Sequence, residues 1–387
     1  KSGDHWGPIT QHSIILMVGA VVVVFMHNIP YKWFQVFPVF LLPLSVVLLA
    51  LVMMMERING AARWMTFMGV QFQPSEVAKM AVIIVTAFIL SKGQDEDGAS
   101  PKAFKRIMII TGVICLLIAP ENLSTAALLF GVVYLMMFIG RVAMKKLLIL
   151  AGGLAGVAII GVTFLVLTKN SDLPFLHRFD TWRARIEKFT NDNEVPAAKF
   201  DIDKDAQIAH ARIAVATSHV VGKGPGNSVQ RDFLSQAFSD FIFAIIIEEL
   251  GLIGGAFVVF LYVCLLIRVG RIAKKCERTF PAFLIIGIAL LLVSQAIFNM
   301  MVAVGLAPVT GQPLPLISKG GTSTLINCAY IGMILSVSRY TARLEEQKEH
   351  DALIPMQVEV PAEETNSDAQ TAAEPTAKVL NSDAEFE

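Results

Sequence analysis

Charged residues are scarce in this chain of 387 residues, where they make up 17% of the sequence. Soluble globular domains contain about 25%. Lys and Arg together number 32, as do Asp and Glu, so the formal net charge is zero. A chain with few and balanced charges lacks the basic surface that nucleic acids require. We therefore expect no nucleic-acid partner.

Cysteine is also scarce, with 4 residues, and none lies in the long polar stretch from 169 to 239. No Cys-x-x-Cys pair is present. These absences argue against a disulfide framework and against a zinc-type site, so we assign no metal-ligating residues. The first ten residues are polar, so we expect no signal peptide within this sequence, and we find no internal repeat.

Hydrophobic residues, in contrast, make up 55% of the sequence, and the mean hydropathy is +0.61. A membrane-spanning helix needs about 20 mostly apolar residues, and about nine runs meet that length. They lie near 12–29, 34–55, 74–91, 105–120, 122–140, 146–168, 240–267, 281–305 and 321–339. The sequence therefore predicts an all-α polytopic membrane protein.

Short connections rich in Lys and Arg alternate with connections that have few cations, and basic loops stay in the cytoplasm. The basic connections include 92–106, 141–146 and 268–278. This pattern predicts a cytoplasmic C-terminus and an extracytoplasmic loop at 169–239, with a helix at 203–221. It also places Lys1 outside the cytoplasm. We therefore expect that residues 1–340 form the membrane domain and that its first span is missing from this sequence. Residues 341–387, acidic and rich in Pro, Ala, Thr and Ser, are predicted to form a disordered tail.

Ionisable side chains near membrane depth are costly and are often functional. Glu76 and Lys79 are three residues apart on a predicted helix that begins near Pro74, and Arg63 precedes them. One interpretation is a buried ion pair that packs a helix. The other is a charged floor that binds an anionic headgroup.

Three further sites carry candidate groups. Glu121 lies where a helix is predicted to start, and the helix dipole alone could explain it. Lys223 lies in a glycine-rich segment that lacks the Gly-Lys-Ser/Thr ending of a phosphate-binding loop, so an exposed turn is predicted. Asp240 lies where the long loop re-enters the membrane, and it could cap a helix or act as a general base. Glu248 and Glu249 follow at a depth where they must face the protein.

Prolines are dense from 308 to 315, which excludes a regular helix there. Irregular backbone at membrane depth must be buried or line a cavity. Ser318, Lys319 and Gly320 follow directly, and we include them among the candidate substrate-binding residues.

Several strings together resemble the SEDS family (shape, elongation, division and sporulation), and its division branch more than its elongation branch. The strings, spread from about 12 to 340, are 60–64 (GAARW), 73–76 (QPSE), 222–224 (GKG), 239–244 (SDFIFA), 248–251 (EELG) and 314–321 (LPLISKGG). Two differences stand out. The family's Pro-Asp-Leu/Phe-Gly-Thr is 120–125 (PENLST) here, and the Tyr of its Ser-Tyr-Gly-Gly is Lys319.

The resemblance implies a ten-span glycosyltransferase with both termini in the cytoplasm. It implies polymerisation of lipid II into β-1,4-linked glycan, with a class B penicillin-binding protein and other division proteins as partners. Asp240 corresponds to the family's catalytic aspartate. A divalent ion such as Mg²⁺ or Mn²⁺ is a further candidate cofactor. The alternatives are a lipid II flippase, an elongation-type polymerase and a non-catalytic scaffold.

Overall fold

The computed structural model describes residues 6–54, 65–67, 70–95, 98–167, 204–234 and 238–358. These residues form ten α-helices: α1 (Trp6–Asn28), α2 (Phe37–Met54), α3 (Pro74–Lys92), α4 (Pro101–Ile118), α5 (Leu123–Ile139), α6 (Met144–Leu167), α7 (Lys204–Ala216), α8 (Ile242–Lys275), α9 (Thr279–Ala303) and α10 (Gly321–Val358). Two short antiparallel hairpins pair β1 (Met65–Phe67) with β2 (Val70–Phe72), and β3 (Gln94–Asp95) with β4 (Gly98–Ala99). Short 3₁₀ helices span Tyr31–Gln35 and Gln230–Phe233.

Each of the predicted apolar runs coincides with a helix, and the remaining helix, α7, lies within the polar stretch. The predicted all-α polytopic membrane fold is confirmed. Six of the described helices are long and apolar enough to cross a membrane, namely α2, α3, α6, α8, α9 and α10. Apolar windows in α1 and α5 are shorter, and α4 carries three cations in its first two turns. The count of nine spans therefore stays a prediction.

Helices α3 and α9 form the centre of the bundle. Of the apolar window in α3, 72% is buried, compared with 6% of the window in α6. Ile83 and Ile84 of α3 pack with Leu284 and Ile288 of α9 in one core cluster. The last turns of α9 enter a second cluster with α7 and α8. Because α9 belongs to both clusters, its polar side chains can reach several parts of the molecule.

The outer helices expose apolar side chains, as a surface that faces lipid must. Met17, Val21 and Phe25 recur at intervals of four along α1, and each is more than half exposed. Phe257 and Phe260 of α8 are also exposed. These surfaces agree with the multi-pass membrane protein that the sequence predicts.

Two compact units divide the chain, one from Lys1 to Ala342 and one from Arg343 to Glu387. Helix α10 continues to Val358, so it includes the first residues of the predicted tail, whose disorder stays a prediction. Residues 344–348 are Leu, Glu, Glu, Gln and Lys. These residue types have high helix propensity, so they favour the continuation of α10. Residues 359–387 lie outside the described ranges.

The predicted extracytoplasmic loop is partly described. Residues 168–203 and 235–237 lie outside the described ranges. The helix predicted at 203–221 is present as α7 but ends at Ala216. His219 has φ +54 and Gly222 has φ +79, so the chain turns sharply after α7.

A break at Gly251 interrupts α8, where φ is 73° and ψ is −172°. A straight helix of 34 residues would be about 51 Å long, which exceeds the hydrocarbon thickness of about 30 Å. The loop after α7 satisfies the backbone groups at the break. Lys223 N and Gly224 N donate to the carbonyls of Glu248 and Glu249, and Leu252 N and Ile253 N donate to those of His219 and Val220.

Gly251→Ala is expected to destabilise the protein, because this region of φ and ψ is essentially restricted to glycine and costs about 1–3 kcal/mol for other residues. An added Cβ would also lie 2.2 Å from the carbonyl oxygen of Val220. Thermal unfolding of the purified variant in detergent measures the effect as a lower Tm.

Gly270→Ala is the matched control on the same helix, since a Cβ there meets nothing within 4 Å. Alanine in a helix interior is favoured over glycine by about 0.5–1 kcal/mol, so this variant should unfold at the same or a higher temperature. Equal Tm values for both variants would show that the break at Gly251 does not depend on glycine.

Candidate active site

Asp240 lies in the turn that leads into α8, and its side chain is half-buried. The hydroxyl of Ser239 donates to Asp240 Oδ1 over 2.9 Å. The N-cap position of α8 is occupied by Phe241, which makes no side-chain cap bond, and not by Asp240.

Three consecutive backbone carbonyls hold the Asp240 turn in place. Lys319 N donates to Phe238 O over 2.8 Å, and Ser318 Oγ donates to Ser239 O over 2.6 Å. The third donor is the side chain of Asn299, whose Nδ2 lies 2.9 Å from Asp240 O. The backbone that carries the carboxylate is thus fixed by donors from two other parts of the chain.

Residues 304–320 form the irregular segment that the prolines predict. Ser318 Oγ also accepts from Leu314 N over 2.7 Å, and Tyr262 donates to Pro315 O over 2.5 Å. Leu316 has φ +66, a conformation that non-glycine residues rarely adopt and that is found at functional sites. A Cβ at Gly320 would meet the hydroxyl of Ser323, so an alanine there would require that side chain to move.

Glu76 and Lys79 form a buried ion pair in α3. Lys79 Nζ lies 2.8 Å from Glu76 Oε1, and the side chains are 0% and 2% exposed. The same ammonium donates to Gln295 Oε1 of α9 over 3.1 Å, and Gln295 Nε2 donates to Pro313 O over 3.1 Å. Both charges are satisfied inside the protein, so the geometry favours the packing interpretation over a floor for a headgroup.

The residue that caps the start of α5 is not Glu121, the residue considered from the sequence. Asn122 is the N-cap, and its Oδ1 accepts from Thr125 N over 3.2 Å. Thr125 Oγ1 in turn accepts from Gln312 Nε2 over 2.6 Å. A cap must bond the amide two or three residues on, and Glu121 is one residue too early for Thr125. Asn122 therefore has the capping role, three residues before the threonine.

A small cleft of about 20 Å³ lies beside this cap. Its polar lining comes from Gln73, Ser75, Glu121 and Asn122, and its apolar walls come from the last turns of α2 and α4. Glu121 therefore faces a cleft at the ends of four helices.

The sequence predicted that Lys223 is exposed on a turn. In the structure its side chain forms an ion pair. Its Nζ lies 2.6 Å from Glu248 Oε1, and its side chain is 30% exposed. Ser228 Oγ donates to Glu248 Oε2, and Val229 N and Gln230 N donate to the same carboxylate. Glu248, 0% exposed, thus organises the loop from 222 to 233, because burial requires a partner for each of its oxygens.

Glu248→Gln should loosen this loop, because an amide nitrogen cannot accept from the Lys223 ammonium and the backbone N–H groups. Hydrogen exchange measured by mass spectrometry should show faster exchange across 222–233, with α3 unchanged. Glu249→Gln is the matched control at the next position, where the side chain is only partly buried. Equal exchange in both variants would contradict the organising role of Glu248.

The remaining candidate substrate-binding residues from the sequence are Ser318, Lys319, Gly320 and Arg63. Lys319 is exposed beside Ser318, and Ser318 and Gly320 belong to the segment that holds the Asp240 turn. Arg63 lies outside the described residues. Within the described ranges, no group of three or more His, Cys, Asp or Glu side chains is arranged to hold a metal.

Sequence reasoning missed three side chains that join the clusters: Gln295, Asn299 and Gln312. Gln295 and Asn299 are four residues apart in an apolar helix, and each is 1% exposed. Uncharged polar residues on one helix face within a membrane span are a detectable signal, since each needs a buried partner. Through these residues, α9 connects Lys79, Thr125 and Asp240 in one hydrogen-bonded network.

The bundle of long apolar helices defines a polytopic membrane protein, in which the half-buried Asp240 lies on a fixed turn at the start of α8. Its sequence matches the profile of the FtsW/RodA/SpoVE family, described as "Cell cycle protein", over residues 1–343. The chain belongs to this family, which is the SEDS family that the motifs predict.

Named relatives agree with this assignment. A "Probable peptidoglycan glycosyltransferase FtsW" from Halomonas elongata is 32% identical over 356 residues, covering 89% of this chain and 85% of the relative. A protein of the same name from Coxiella burnetii is 30% identical over 343 residues, covering 86% of each.

Solved structures share the fold. A chain from a study titled "Structural coordination of polymerization and crosslinking by a peptidoglycan synthase complex" has a TM-score of 0.69 and 24% identity, over 88% of this chain and 92% of that one. The rod shape determining protein RodA of Thermus thermophilus has a TM-score of 0.60 and 23% identity, over 85% of this chain and 87% of RodA.

Proposed function

We propose that this chain is a peptidoglycan glycosyltransferase that polymerises lipid II into β-1,4-linked glycan strands during cell division. The observation that carries the proposal is the half-buried Asp240 carboxylate, whose backbone is held by donors from Lys319, Ser318 and Asn299. Relatives at least 30% identical carry the name peptidoglycan glycosyltransferase FtsW, which supports both the reaction and the division role over the elongation role.

In the proposed reaction, Asp240 takes the proton from the 4-hydroxyl of the acceptor sugar. That oxygen attacks the anomeric carbon of the donor, and the bond from this carbon to the diphosphate oxygen breaks. Undecaprenyl diphosphate leaves with the bonding electrons. The donor is the α-anomer and the product is β-linked, so one displacement with inversion and one base suffice. General bases typically contribute about 10²–10⁴-fold to the rate.

Positive charge must stabilise the departing diphosphate. Lys319 is exposed next to the segment that holds Asp240, so it is the described cation that best fits this role. Arg63 is a second candidate on the basis of sequence. Mg²⁺ or Mn²⁺ would supply further charge when bound together with the diphosphate. Lys79 and Lys223 are already neutralised by Glu76 and Glu248, and their proposed roles are structural.

The proposed setting is the bacterial inner membrane, with the C-terminus in the cytoplasm and the site on the outer side. The proposed partners are a class B penicillin-binding protein, other division proteins and membrane lipid. A likeness to a chain of a peptidoglycan synthase complex supports the first of these. The exposed apolar surfaces of α1 and α8 offer area for a partner helix.

Purified protein with lipid II tests the reaction, with and without a class B penicillin-binding protein. The expected result is glycan chains that are longer than the lipid II monomer and that gel electrophoresis separates by length. Reconstitution in liposomes distinguishes the flippase alternative. Movement of lipid II across the bilayer with no polymer, under conditions where the partner is present, would contradict the proposed function.

A further inference from the structure

Asn299 donates from one amide nitrogen to two backbone carbonyls. Its Nδ2 donates to Asp240 O over 2.9 Å and to Gln312 O over 2.7 Å. It lies in the last turns of α9 and is 1% exposed. An amide nitrogen has two hydrogens, so both bonds can form at once. One buried side chain therefore joins the Asp240 turn to the irregular segment.

The two carbonyls belong to backbone that has no regular helix to satisfy it. Asp240 lies before the first residue of α8, and Gln312 lies within the irregular stretch of 304–320. In a low-dielectric interior such carbonyls need a donor, and each unpaired group costs about 1–3 kcal/mol. Because a side chain of α9 supplies both, the position of Asp240 depends on a helix in the centre of the bundle.

The two bonds fix the orientation of the amide in the bundle. Asn299 Oδ1 is buried, and none of the described residues donates to it. The contacts that tie Asn299 to other parts of the chain are therefore those of its nitrogen.

We propose that Asn299 is a positioning residue, which sets the placement of the Asp240 carboxylate by holding its peptide carbonyl against the irregular segment. The inference rests on the proposed function of Asp240 as general base. Asn299 does not touch the reacting atoms. Its loss should therefore slow the chemical step more than it weakens binding, since displacement of a reacting group by about 1 Å can cost 10²-fold in rate.

Asn299→Leu tests the proposal, because leucine is close in size and lacks the donor. We expect kcat for lipid II polymerisation to fall by about 10²-fold while KM changes less than about threefold. Asn299→Asp keeps the shape, and its neutral acid can still donate to one carbonyl, so its kcat should lie between those of the wild type and the leucine variant.

Ser336→Ala is the matched control, since Ser336 is a buried residue that donates to the carbonyl of Ile29 in another part of the bundle. It should lower Tm to a similar extent and leave kcat unchanged. If Asn299→Leu does not accumulate, Asn299→Asp alone carries the test. Wild-type kcat in both Asn299 variants, or a loss confined to KM, would overturn the proposal. Absence of polymer from the wild-type protein would instead refute the proposed function.

Discussion

Asp240→Asn is expected to abolish polymerisation while leaving the protein folded in the membrane. An amide has no basic site that can accept the proton of a sugar hydroxyl, so the rate should fall by about 10²–10⁴-fold. The asparagine Oδ1 can still accept from Ser239 Oγ, and the three backbone bonds that hold the turn do not involve the carboxylate. The Tm in detergent should therefore remain close to that of the wild type.

The assay compares purified wild type and variant with lipid II, each in the presence of a class B penicillin-binding protein, the proposed partner. Asp95→Asn provides the control, because Asp95 is an exposed carboxylate in the β3–β4 hairpin. It should polymerise at the wild-type rate. Full-length glycan from Asp240→Asn at the wild-type rate would remove the general-base role from Asp240.

Lys79→Met is expected to cause the largest loss of stability. It would leave the Glu76 carboxylate buried without its partner 2.8 Å away, and Gln295 Oε1 would lose its donor. Removal of one partner from a buried ion pair typically costs about 3–5 kcal/mol. Chemical unfolding in detergent measures the change. Lys92→Met, at the exposed end of the same helix above the Phe88 ring, should cost no more than about 1 kcal/mol.

The double variant Glu76→Met with Lys79→Met separates the two interpretations of this pair. Replacement of both charges by apolar groups is often neutral or stabilising, so stability should return. If the pair only packs α3, polymerisation should return as well. A stable double variant that makes no glycan would show that the pair acts on substrate, contrary to the geometry.

Hydropathy predicted the helices because each span must bury its own backbone hydrogen bonds within an apolar run. The charged candidates were found for a related reason, since an ionisable group in an apolar run is conspicuous. What the sequence did not reveal is which groups meet. Lys79 contacts Gln295 over a separation of 216 positions, and Gln312 contacts Thr125 over 187. No local periodicity encodes such contacts.

Two differences at single residues have local physical reasons. Asn122 caps α5 in place of Glu121, because the cap must stand three residues before the amide that it accepts from. The pairing of Lys223 with Glu248 depends on the break at Gly251, which brings the loop against α8. The glycine at 251 was visible in sequence, but a helix breaker does not by itself identify the segment that fills the break.

The backbone hydrogen bonds between residues 219–224 and the break in α8 limit how this protein can be engineered. An epitope tag or a fluorescent reporter inserted between His219 and Gly224 would separate donors and acceptors that complete a transmembrane helix, not merely lengthen a surface loop. Loop grafts between relatives would have to carry this stretch together with residues 248–253 as a single cassette.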